Sequence, residues 1–161
     1  MELHLPTITP EELSLRDQRA LILQLLYAVD SSDYTTSINA VAENLYHGFQ
    51  IKIDTTSDFF KKVQSVIEQR DELDEKIKPL LNNWKFERLS ICTKLILRLA
   101  IWELLNTDIN AVIVMNEAIE IAKGYAEEES YKFINGILDE WVKRHKNTDI
   151  ENTDPEMRED T

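Results

Sequence analysis

Residues 91–105, "ICTKLILRLAIWELL", carry apolar side chains almost all the way round a helical wheel, interrupted mainly by Lys94 and Arg98 on one edge and by Glu103. Surface helices keep one apolar stripe; a helix that is apolar on every side needs neighbours on every side. The segment is therefore predicted to be a central, buried helix, with Ser90 as its N-cap. What surrounds it must be other helices. The chain's three glycines and four prolines are too few for a many-turned β fold and suit helices joined by short connections.

The flanking segments supply them. Thr9-Pro10-Glu11-Glu12 has the capping hydroxyl, early proline and first-turn acids of a helix start. A long helix is predicted over 15–29, with Ile22, Leu23, Leu26 and Tyr27 on one stripe and Leu21 and Leu25 widening it. After the cap-rich "DSSDYTT", a second helix runs to about Gly48 with Ile38, Val41, Ala42 and Leu45 inward. "GFQIKIDTT" alternates briefly like a strand but has no evident pairing partner, so it reads as a loop. Phe59, Val63, Val66 and Ile67 mark a third helix, and Leu73, Ile77, Leu80, Leu81 and Trp84 continue it, with Pro79 at a kink or first-turn position. "AVIVMNEAIEIAKGYA" follows the central helix, and "EEES" is expected to open the last one with acids at the positive end of the dipole. In "KFINGILDEW" (132–141) the Asn-Gly pair would ordinarily mark a turn, yet Phe133, Ile134, Ile137, Leu138 and Trp141 recur at helical spacing. Asn116 and Asn135, each inside an apolar pattern, are expected to form a buried polar clamp, with Gly136 allowing close approach of a neighbouring helix. The fold class is all-α, six or seven helices. The divisions are an N-terminal extension at 1–14, a helical domain at 15–146 and an acidic, disordered tail at 147–161.

No catalytic constellation is present: no phosphate-binding glycine loop, no Gly-x-Ser-x-Gly elbow, no His-Glu-x-x-His helix. His4, His47 and His145 are scattered and read as surface residues, Cys92 as a structural thiol, and Glu127–Glu129 as a solvated turn and not a metal site. The expectation is no enzyme activity, no cofactor and no metal. No apolar run is long enough to cross a membrane, and the lone cysteine fits a reducing cytoplasm. The net charge of −12 disfavours a polyanion. The tail's six acids and one arginine account for five of those charges, leaving the remainder acidic as well.

Three motifs, "ILRLAIWEL" (96–104), "NEAIEIAKGYAEEES" (116–130) and "KFINGILD" (132–139), together with "RDQRALILQLLYA" (16–28), resemble the NusB family of transcription antitermination factors. The resemblance runs from Arg16 to Asp139. It implies a fold of two packed helical subdomains and a non-enzymatic RNA-binding function. It further implies pairing with NusE, a small-subunit ribosomal protein. The pair would bind boxA-like single-stranded RNA and reach other Nus factors and RNA polymerase indirectly, in support of rRNA synthesis. By the same resemblance Arg16, Arg19, Tyr27, Lys132 and Phe133 are the RNA-binding residues. Residues 1–15 contain no lysine or arginine, where the family often has several, and Thr93 stands where it often has an acid. Two alternatives stay open: a protein-only scaffold of the same fold, and a detached relative of the RNA-binding domain of rRNA cytosine methyltransferases. A homodimer through exposed leucines such as Leu21 or Leu25 is also possible.

Overall fold

The computed structural model describes residues 6–151, with side-chain surroundings through 145. Among these, seven α-helices follow in order: α1 Leu15–Ser31, α2 Ile38–Phe49, α3 Asp58–Glu68, α4 Arg70–Ile77, α5 Ile91–Asn106, α6 Ala111–Tyr125 and α7 Ser130–Glu151. Local chemistry sets the starts. Ser14, Ser37, Ser57 and Ser90 each accept, on the side-chain oxygen, the backbone N–H three residues on, and Asn110 accepts that of Val112. Each bond satisfies one of the N–H groups a helix start leaves without a partner.

As its composition requires, α5 lies at the centre, packed against α1, α3, α4, α6 and α7. Leu97 and Ile101 are fully buried within one continuous apolar cluster fed by α1, α3, α4, α5, α6 and α7. The two helical halves thus share a core. Two charged residues of α5, Arg98 and Glu103, are buried too, because each meets a partner of opposite charge. Arg98 donates to both oxygens of Asp74 on α4 (Nε–Oδ1 2.6 Å, Nη2–Oδ2 2.8 Å), and Glu103 meets Arg19 of α1.

The structure departs from the sequence-based expectations at several places. The "GFQIKIDTT" stretch does find a partner: Ile51 forms a parallel bridge with Ile8, and Lys52 N–H donates to the Ile8 carbonyl at 2.9 Å. That bridge, with the burial of Pro10, ties residues 8–12 to the domain. Leu21 and Leu25 are buried, at 5% and 2% exposure, and so cannot supply a dimer surface. Glu127–Glu129 precede α7 and do not form its first turn; Glu129 takes a left-handed φ of 68° that ends the connection. The backbone of α7 continues to Glu151, through the first residues expected in the tail. Residues 152–161 lie outside the described residues, as does His4.

The polar clamp is not formed. Asn116, Asn135 and Gly136 are all exposed. Each asparagine neighbours an inward position, but successive helical residues are about 100° apart, so Asn135 points to solvent while Ile134 is fully buried. A Cβ placed on Gly136 would meet nothing within 4 Å, and its φ is not positive. Gly136 therefore carries only the entropic cost of a helical glycine. Gly136→Ala is expected to stabilise the fold by about 0.4–1 kcal/mol in a urea melt; a loss would mean that a neighbour closes over the site.

Candidate nucleic-acid interface

The first candidate side chains lie along one edge of α1. Arg16 and Tyr27 are eleven residues apart, three helical turns and about 16 Å, so they project in nearly the same direction. The Arg16 side chain is 61% exposed and donates through Nε and Nη2 to the two carboxylate oxygens of Glu117 on α6, both at 3.2 Å. Those hydrogen bonds and the Glu117 charge hold the guanidinium above its ordinary pKa. Further along, Gln24 Nε2 donates to the Tyr125 hydroxyl at 3.4 Å. Both pairs are offset by 101 residues, so α1 and α6 run parallel across this seam. Tyr27 is 46% exposed, with its ring at the surface.

Arg19 does not join that edge. Three residues beyond Arg16 it is rotated about 60° toward the interior, where it is 8% exposed. It donates from Nη2 to Glu103 Oε2 at 2.9 Å and from Nε to both oxygens at 3.2 Å. Lys62 of α3 approaches the other Glu103 oxygen at 3.6 Å. Burial depresses the Lys62 pKa, against the opposing Glu103 charge. Arg19 is thus a buried ion-pair residue and, unlike Arg16, does not present its guanidinium at the surface.

The second group stands at the start of α7. Lys132 is exposed, 3.4 Å from Glu129. Phe133 is half-buried, its ring edge-on to Trp84 with centroids 5.6 Å apart. Trp84 was expected on the inward stripe that ends at Leu81. The left-handed Asn82 (φ 52°) terminates that stripe, and Trp84 is 63% exposed. Sequence reading therefore missed it as a surface group; the Asn82-Asn83 pair before it is the signal that could have revealed the turn.

The arrangement offers exposed cations and planar rings, the groups used on single-stranded nucleic acid. No cluster of three or more potential metal ligands occurs among the described residues, and no described helix is long and apolar enough to cross a membrane.

The sequence model of the NusB family matches residues 16–143. The transcription antitermination protein NusB of Macrococcus caseolyticus (strain JCSC5402) is 35% identical over 132 residues, covering 81% of this chain and 98% of that protein. The chain belongs to the NusB family. A NusB of the same description from Bacillus subtilis (strain 168) is 39% identical over 125 residues, covering 76% and 90%. Among solved structures, T. maritima NusB superposes with a TM-score of 0.68 at 30% identity, covering 81% of this chain and 92% of that one. The solution structure of NusB from Aquifex aeolicus, at 22% identity and a TM-score of 0.63, shares the fold. Membership makes the chain a non-enzymatic antitermination factor with the all-α fold expected from its sequence.

Proposed function

We propose that the chain acts with a NusE-like ribosomal protein to bind boxA-type single-stranded RNA, using Arg16, Tyr27, Lys132 and Phe133. The observation that carries this reading is the family match over residues 16–143. The exposure of Arg16, Tyr27 and Lys132 supports it. A net charge of −12 opposes a polyanion, so the protein alone binds RNA weakly, and a basic ribosomal partner offsets the field.

Arg16 and Lys132 each sit against a carboxylate, Glu117 and Glu129. Binding a phosphate there exchanges one anion for another, which fits modest affinity for the lone protein. The same pairing favours the second reading, a scaffold that contacts only proteins.

The test is binding of boxA-like RNA across a salt series, with and without NusE. The complex is expected to bind tightly. Arg16→Ala and Lys132→Ala should each make the log–log salt slope shallower by about 0.7, the increment for one phosphate contact on a single strand. Unchanged RNA affinity in the Arg16→Ala/Lys132→Ala complex would rule out this site and favour the scaffold.

A further inference from the structure

We propose that Trp84, braced by Phe133, is a stacking platform for one or two bases of single-stranded RNA, with Lys85 and Lys132 holding the adjoining phosphates. This rests on the RNA-binding reading above and adds a surface to it.

Three observations converge. Trp84 is a large ring left 63% exposed, yet it is held in place. Its backbone N–H donates to the Leu81 carbonyl at 3.0 Å, which sets the turn that presents the residue, and its indole meets the Phe133 ring edge-on. An exposed indole braced on one side by a second ring presents a flat face that any base can cover, at a lower entropic cost than a side chain with no neighbour.

The pair walls an open groove of ≈ 580 Å³ lined also by Asn82, Asn83, Lys132 and Gly136. The asparagine amides carry both donors and acceptors, as base edges require. Gly136 leaves its part of the groove without a side chain, with nothing within 4 Å of a Cβ built there. A helical glycine that packs against nothing gains a reason here: it keeps a slot open.

The charge is local. In a chain of net −12, residues 76–94 hold five lysines and arginines against the single acid Glu87, with Lys78 paired to Glu75 just outside at 2.7 Å. Lys85 and Arg88 are exposed, and their side chains have neither an ion pair nor a hydrogen bond among the described residues. Lys78 and Lys94 lie over the Phe86 ring at 5.7 and 5.0 Å. On the opposite side of the aromatic pair, Glu127–Glu129 line a second depression with Arg88. Those acids disfavour a polyanion there and leave it the groove that Lys132 lines. A basic ribosomal partner would be repelled by the 76–94 strip, so RNA is the occupant its charge fits.

The experiment measures boxA-like RNA affinity of the preformed complex with NusE. Trp84→Ala should weaken binding about 5- to 150-fold, the range for losing one base–aromatic stack, while Trp84→Phe keeps most of it. Gly136→Leu, which fills the slot, should weaken RNA binding without lowering the melting midpoint. Lys85→Ala should make the salt slope shallower by about 0.7, and Arg88→Ala should leave it unchanged. Trp84 is exposed, so circular dichroism should find its variants folded. Unchanged RNA affinity in Trp84→Ala, with Arg16→Ala still impaired, overturns the platform and leaves the RNA-binding reading standing. Weaker NusE binding with unchanged RNA affinity assigns the surface to the protein partner and also overturns it. No RNA binding by the unsubstituted complex overturns both readings together.

Discussion

Glu103→Ala is expected to cost the fold about 3–5 kcal/mol, the usual range for removing one member of a buried ion pair. Glu103 is 1% exposed and serves two cations, accepting from Arg19 and approached by Lys62. Its loss leaves the Arg19 guanidinium, 8% exposed, without its carboxylate partner. Lys62 is less affected because part of its side chain still reaches solvent, at 21% exposure. The same range applies to Arg19→Ala, so RNA binding by that variant is to be compared at equal folded fraction. A double variant separates charge from packing. Arg19→Met/Glu103→Leu replaces the pair with apolar groups of similar size and should recover most of the loss. Urea denaturation of the three variants is the measurement. A single variant that loses less than about 1 kcal/mol would mean that water reaches the pair, against the burial described.

Leu97→Ala should cost a comparable amount, about 3–5 kcal/mol. Leu97 is fully buried at the middle of α5, with Ile101 one turn on and equally buried. A void at the edge of a core can shrink as a surface side chain falls in. Here α1, α3, α4, α6 and α7 surround the helix, and collapse would have to move whole elements. The check is a shift in urea midpoint at constant slope. A changed slope would mean that the unfolded ensemble, and not the core, had altered.

The central position of α5 was legible because its composition admits no other place, and the helical reading of "KFINGILDEW" was legible because periodicity outweighs one Asn-Gly pair. The direction in which individual polar residues face was harder to read. Arg16 and Arg19 look alike in sequence, but what draws Arg19 inward is Glu103, 84 residues away. No local pattern records that distance. Arg98 and Asp74 pose the same difficulty at a separation of 24. Asn116 and Asn135 misled in the opposite sense: apolar neighbours in sequence imply burial only for residues on the same helical face. Trp84 was read as core because its spacing continues that of Leu80 and Leu81; one left-handed residue, Asn82, is enough to send it outward. For the candidate site, chemistry was readable from residue type, whereas exposure depended on tertiary partners.

The long reach of the Arg19–Glu103 pair has a consequence during synthesis. α1 leaves the ribosome well before the residue that neutralises it, and 84 further amino acids must be added before Glu103 exists. At about 5–20 residues per second that interval lasts roughly 4–17 s. Throughout it Ile22, Leu23, Leu26 and Val29, all buried in the finished fold, have no α5 to cover them. Over that interval the nascent chain carries an apolar helix that α2 and α3 alone can shield, and α1 reaches its final packing only when α5 arrives.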